Sequence, residues 1–158
     1  MNVAIIGAGI AGLSAARELT SRGRSVLLID KGRGVGGRMA TRRFGGGRFD
    51  TGAQFFSARS EPFRRLLEEE VSPAGAATDW YHRGRNVYYR GSDGMTSVPK
   101  LLAEGLDVRT SSRVTGVRRV ARGWSLTVTG AGGEPARIEA EAMISTAPVP
   151  QTVTLLEG

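Results

Sequence analysis

The chain has 158 residues, 40% of them apolar and 23% charged, which is the length and composition of one ordinary folded domain rather than a disordered segment or a large multidomain enzyme. It contains no cysteine, so disulfide scaffolds, thiol nucleophiles and Cys-ligated zinc or iron–sulfur sites are excluded together. The net charge of +7 is concentrated: residues 22–48 hold eight bases (Arg22, Arg24, Lys31, Arg33, Arg38, Arg42, Arg43 and Arg48) against the single acid Asp30, a balance that calls for a polyanion such as nucleic acid, an anionic surface or the phosphates of a cofactor.

In chain order, residues 2–6 form a short β-branched run ended by Gly7, as expected of a buried parallel strand. A helix is predicted from Ile10 to Arg22, with Ile10, Leu13, Ala16 and Leu19 on one face and Gly23 at its end. Ser25 to Asp30 is a second apolar strand, completing a βαβ unit. The uncharged stretch Val3 to Ala16 is short, carries three glycines and follows no basic segment. It predicts neither a membrane span nor a signal peptide, and the expected setting is soluble and cytoplasmic.

Residues 31–52 carry eight glycines and no apolar periodicity, and are predicted as loop. Glu61 to Val71 is predicted helical, with Pro62 in the first turn and Phe63, Leu66, Leu67 and Val71 spaced for one face. Trp80–Arg83 and Asn86–Arg90 read as a hairpin around Gly84. A further helix is capped by Thr96 or Ser97 and runs to Glu104. After a short strand at Leu106–Arg109, an antiparallel meander is predicted over Arg113–Ala121, Trp124–Thr129 and Ala136–Ala140. Ala142–Ser145 is the final buried strand, ended by Pro148 and Pro150, with no closing element after it.

Gly7, Gly9 and Gly12 form GxGxxG between the first strand and the first helix, and Asp30 ends the second strand 18 residues beyond Gly12. In a dinucleotide fold the first glycine makes the turn, the second admits the pyrophosphate and the third lets helix pack on strand. The helix N-terminus then faces the phosphates, and the acid accepts from ribose hydroxyls. The competing reading is a glycine-rich turn in another α/β fold. A second glycine loop, Arg33-Gly-Val-Gly-Gly-Arg-Met39, replaces the crossover helix of a nicotinamide dehydrogenase and suits a cofactor held from two sides. Its alternative is an Arg/Gly tail that binds RNA, making residues 22–48 a nucleic-acid contact.

The only histidine, His82, and the lack of GxSxG leave no Ser/His/Asp triad, and a metal site of several histidines is impossible. His82 is expected on a strand among Trp80, Tyr81, Tyr88 and Tyr89, aromatics that either pack the sheet or wall a substrate cavity. Glu68, Glu69 and Glu70 read as a solvated helix face.

Gly7 to Asp30, Gly36-Gly37-Arg38-Met39-x-Thr41, and Phe49-Asp50-Thr51-Gly52-Ala53-Gln54-Phe55 together resemble the FAD-dependent amine oxidase superfamily, and within it the renalase-like group. Gly94-Met95-Thr96-Ser97, Arg113-Val114-x-x-Val117 and Met143-Ile-Ser-Thr-Ala-Pro148 follow in the same order, so the resemblance spans essentially the whole chain.

The resemblance implies an α/β fold: a Rossmann-like FAD-binding domain with a parallel sheet, helices and an antiparallel β-meander, plus part of a substrate domain. Residues 1–54 and 92–158 would form the FAD-binding domain and 55–91 the substrate portion. It places Gly7, Ala8, Gly9, Ile10, Ala11 and Gly12 along the pyrophosphate, and Asp30 with Lys31 at the adenosine ribose. Gly37, Arg38 and Met39 would sit at phosphate or ribityl, and Gly52, Ala53, Gln54 and Phe55 near the ribityl chain and isoalloxazine ring. Val114 would meet adenine through its backbone, with Ala147 and Pro148 near the adenosine half. Asp50 reads equally as a turn residue.

The implied cofactor is FAD, with no metal and no protein side chain as catalyst, because the flavin itself takes the hydride. The implied partners are a small-molecule substrate, an amine or a dihydropyridine of the NAD(P)H type, and O₂, without nucleic acid or membrane. Members of the superfamily are roughly twice as long as this chain. The expectation is therefore an N-terminal half, with a truncated, non-catalytic dinucleotide-binding module as the alternative.

Overall fold

The computed structural model describes residues 2–157. The backbone divides after Gly37 and again after Glu104 into two compact units, the first built from both ends of the chain and the second from Arg38–Glu104.

In the first unit, β1 (Val3–Ile6), β2 (Val26–Ile29), β7 (Asp107–Arg109) and β11 (Ala142–Ser145) form a parallel sheet in the order β11-β1-β2-β7. Alternation along β1 and β2 decides what each face meets. Ala4, Ile6, Leu27 and Ile29 join Val114, Val117, Leu126, Val128, Ile138 and Ala140 in one buried cluster. These last six come from the meander β8 (Arg113–Val120), β9 (Gly123–Thr129) and β10 (Pro135–Ala140), paired in the order β10-β9-β8. The residues between them, Val3, Ile5 and Leu28, are also buried, as are Leu13 and Ala16 of α1 (Ile10–Ser21). The βαβ unit and the three-stranded meander thus stand as expected, each within two residues of the predicted bounds.

The chain does not end on a bare strand. α4 (Val149–Glu157) follows β11, correcting the expectation that no element closes it. Pro148 and Pro150 do stop the strand, but a proline is equally at home in the first turn of a helix. Thr152 N donates to Pro148 O, Thr152 Oγ1 reaches Ala147 O, and Leu155 packs on the buried cluster.

Residues 31–52, which run from the end of the first unit into the second, are not all loop. A 3-10 turn at Gly37–Met39 leads into the hairpin β3 (Thr41–Phe44) and β4 (Gly47–Asp50). Gly45 and Gly46 both have positive φ (56° and 78°), as a two-residue type I′ turn requires. The strands were hidden because Arg42, Phe44, Arg48 and Phe49 are exposed, so no apolar alternation marks them. α2 (Glu61–Leu66) runs into a π-helical turn at Leu67–Val71, which buries Leu67 and Val71. β5 (Ala77–Arg83) pairs with β6 (Asn86–Gly91), beginning three residues before the predicted strand. α3 (Ser97–Ala103) follows near its predicted bounds with Thr96 at the N-cap position, but neither hydroxyl caps it: Thr96 Oγ1 donates to Met39 O and Ser97 Oγ accepts from Asp93 N. No helix among the described residues is long and apolar enough to cross a membrane.

Candidate functional site

The first unit gathers its glycine motif at the carboxyl end of β1, where the chain leaves to α1 on the β2 side while β11 flanks the other. A crevice at such a reversal of strand order is where open α/β sheets take ligands. The three glycines of the motif meet different surroundings. A Cβ on Gly12 would lie 2.0 Å from the Gly7 carbonyl oxygen, so only glycine lets α1 pack this close to the strand end. Gly7 has φ of 104° and is held by Thr146, whose Oγ1 donates to Ile6 O (3.0 Å) and lies 3.3 Å from Gly7 O. Gly9 is different: the nearest atom to a Cβ there is Gly37 Cα of the second glycine loop at 4.0 Å, ordinary van der Waals distance, so the protein itself leaves room for a side chain at this position.

That second loop is tied to the first. Gly36 N donates to Ala8 O at 2.9 Å and Gly9 bridges Gly36 in parallel, bringing Gly37 against Gly9. Asp30 braces the same turn from β2. Its Oδ2 accepts from Ala8 N and its Oδ1 from Gly32 N, both at 2.6 Å. Gly9 caps α1 without a side-chain hydrogen bond, and the first turn, which contains Ile10 and Ala11, holds no acid. A helix N-terminus left this way offers N–H groups and a positive dipole end to an anion.

The adenosine-side candidates converge on the same edge. Ser112 N donates to Asp30 O and Ser111 N to Gly32 O, which carries the start of β8, with Val114, to the end of β2. Lys31 Nζ donates to Gln151 Oε1 of α4, at the helix that Ala147 and Pro148 introduce. Sequence reasoning missed the Thr146 lock and the Ser111–Ser112 corner. The Ser145-Thr146-Ala147-Pro148 segment carries the signal for the first; Ser111 at φ of 50° has none in its residue type.

In the second unit, Gly52 approaches Arg38 so closely that a Cβ would stand 2.0 Å from Arg38 O, and Ala53 N donates to that oxygen at 2.8 Å. Met39 is buried, and its carbonyl accepts from Thr96 Oγ1. Asp50 Oδ1 accepts from Thr41 Oγ1 and from Met95 N, tying β4 to the turn before α3. Gln54 lines a groove, and Phe55 joins Trp80, Tyr81 and Tyr88 in an aromatic cluster with ring centroids 5.3–6.0 Å from its own. Trp80 and Tyr81 remain exposed, at 48% and 38%, so sheet packing alone does not absorb them. His82 lies 3.5 Å from Asp79 on the same exposed strand, and Glu68 to Glu70 are exposed as expected.

Tyr89 stacks on Phe56 on the other side of the β5–β6 ribbon. Burial first, then the charges of Asp79 and Glu68, raise its phenol above the ordinary 10.0. Folding therefore favours the neutral phenol, a preference fully present below the ordinary value and lost as pH climbs through the raised one. In an ultraviolet titration compared with Tyr89→Phe, the Tyr89 phenol is expected to ionise above its ordinary value, and Asp79→Asn to lower that midpoint. A Tyr89 transition at the ordinary value would contradict this environment.

Comparison with known proteins gives this arrangement a context. A family model described as flavin containing amine oxidoreductase matches residues 72–156, and one described as an NAD(P)-binding Rossmann-like domain matches residues 5–70. A Mycobacterium tuberculosis protein carrying the name flavin-containing monoamine oxidase AofH is 40% identical over 109 residues, 67% of this chain and 23% of that protein. A 4,4'-diapophytoene desaturase of Staphylococcus aureus is 44% identical over 52 residues, 33% of this chain and 10% of its own. The chain thus spans at most about a quarter of these relatives (23% and 10%). Among solved structures, a flavoprotein/dehydrogenase from Cytophaga hutchinsonii superposes with a TM-score of 0.65 at 18% identity, over 97% of this chain and 40% of that one. CabE, an aromatic hydroxylase from angucycline biosynthesis, gives 0.64 at 18%, over 90% and 30%. These two likenesses support the fold.

Proposed function

The chain belongs to the flavin-containing amine oxidoreductase family, and from that membership we propose that it serves an oxidoreductase that, with FAD bound noncovalently, oxidises a small-molecule amine or dihydropyridine-type substrate with O₂ as electron acceptor. The observation that carries the reading is the cradle at Gly9: an uncapped helix N-terminus and an open glycine backbone faced by the Gly36–Gly37 loop. Bound flavin would supply a hydride acceptor and return the electrons to O₂.

This chain's own residues bind and orient. The backbone from Gly7 to Gly12 takes the pyrophosphate, with the amides of α1's first turn as donors. Asp30, already bonded to two amides, keeps lone pairs for ribose hydroxyls, since an ionised carboxylate has about four acceptor sites. Lys31, Gly37, Val114, Ala147 and Pro148 complete the adenosine and phosphate contacts. The resemblance assigns Arg38, Met39, Gly52, Ala53, Gln54 and Phe55 to the ribityl chain and ring. On this reading residues 1–54 and 92–158 act as the FAD-binding domain and 55–91 as the substrate portion.

The test is anaerobic addition of benzylamine, and separately of dihydronicotinamide nucleotides, to the FAD-loaded protein. Bleaching of the flavin band by either class, reversed by air, is the expected result. Flavin that stays bound and stays oxidised with both would favour a non-catalytic dinucleotide-binding module.

A further inference from the structure

The second unit contains a groove that shares only Gln54 with the proposed cofactor contacts. Its wall combines the rings of Trp80 and Phe49 with the side chains of Arg48, Arg90, Asp50 and Gln54. The β5–β6 register slips between Asp79 and Tyr81, leaving Trp80 outside the regular ladder. Trp80 instead turns toward Phe55, 6.0 Å away, and keeps 48% of its surface exposed. Phe49, on β4, is 55% exposed. Two aromatic faces left in water beside one groove are suited to a planar guest.

The charges decide what else that guest carries. Arg48 is neutralised by an ion pair with Asp93. Asp50 is half-buried, and its Oδ1 already receives the Thr41 hydroxyl at 2.5 Å and the Met95 amide at 2.9 Å. Arg90 lies across the ladder from Thr78, is exposed, and has no ion-pair partner among the described residues. A planar guanidinium with no carboxylate of its own is a forked donor for a carboxylate or phosphate.

We propose that this groove takes the substrate of the oxidoreductase reading, and that the substrate is a planar ring bearing an anionic group, held by Trp80 and Phe49 on its faces and by Arg90 at its carboxylate or phosphate. The inference rests on that reading only in making the groove's guest the substrate. It selects against a cationic amine, whose ammonium would meet the unpaired guanidinium.

Trp80 reports the binding directly. The sequence has two tryptophans, so a Trp124→Phe background leaves Trp80 as the sole indole. Four probes of one shape are titrated by fluorescence: phenyl phosphate, benzoate, benzyl alcohol and benzylamine. Saturable quenching by phenyl phosphate or benzoate, about tenfold tighter than by benzyl alcohol or benzylamine, is expected, with the tighter anion naming the group. Arg90→Gln removes the preference and Arg90→Lys restores part of it, while both variants keep the wild-type melting curve because the side chain is exposed. Quenching by benzylamine as tight as by either anion, or an anion preference that survives Arg90→Gln, overturns the proposal. A flavin spectrum taken on the same samples separates the two claims: flavin held without an anion preference defeats this inference alone, and an anion preference without flavin defeats the oxidoreductase reading.

Discussion

Replacing Gly12 with alanine is expected to lower the melting temperature and to abolish measurable FAD binding together. The added Cβ would stand 2.0 Å from the Gly7 carbonyl oxygen and 3.1 Å from its carbon, both backbone atoms that no rotamer change can move. The helix must lift from the strand end, and overpacking of this kind costs about 1–3 kcal/mol or more. For a domain of this size that corresponds to roughly 3–10 °C in Tm. On the proposed reading the same displacement would carry the first-turn amides off the phosphate position, so affinity is expected to fall by at least about 100-fold. Gly9→Ala is the informative contrast. Its Cβ has no neighbour closer than 4.0 Å and its φ of −77° suits alanine, so Tm should move by less than about 2 °C. On the proposed reading FAD binding should still weaken about tenfold or more, because the methyl group would stand where the pyrophosphate approaches. Differential scanning fluorimetry with and without FAD reads both effects. Equal loss of stability in the two variants would mean that Gly9 is a packing residue and the cradle is not open.

Asp30→Ala is expected to give the second-largest loss. The carboxylate holds Ala8 N and Gly32 N at 2.6 Å each, so one side chain fixes the motif turn and the loop after β2. Hydrogen bonds to a charged group contribute about 1.5–3 kcal/mol each. The variant therefore loses two anchors and, on the proposed reading, the acceptor for the ribose. Titration calorimetry should show FAD and ADP weakened together by about 100-fold, since the damage lies in the adenosine half they share. Riboflavin, which lacks that half, should be unaffected at whatever affinity it has. Loss of FAD binding with ADP binding intact would place Asp30 outside the site.

Much of the first unit was legible because its signals are local. Apolar β-branched runs at residues 3–6 and 26–29, glycines at fixed offsets and a small-residue helix face each follow from backbone sterics. Asp30 is marked by its distance from Gly12, but its bonds to Ala8 N and Gly32 N are not encoded in that spacing. The β3–β4 hairpin was missed because both Phe44 and Phe49 face water, and strand periodicity is visible only when one face is buried. α4 is hidden for a different reason: a proline stops a strand and opens a helix with the same residue type, and only the bonds from Thr152 to the carbonyls of Ala147 and Pro148 show that a helix starts here. The role of Thr146 depends on a contact 139 residues away along the chain, a separation that motif spacing does not encode.

On the proposed reading these residues form a competent FAD site. A visible absorption spectrum of the purified 158-residue protein, taken before and after incubation with FAD and desalting, tests it most directly. A flavin spectrum retained at close to one equivalent in the wild type and lost in Gly12→Ala is the expected result. A folded protein that stays colourless after loading, with a Tm that added FAD does not raise, would contradict it.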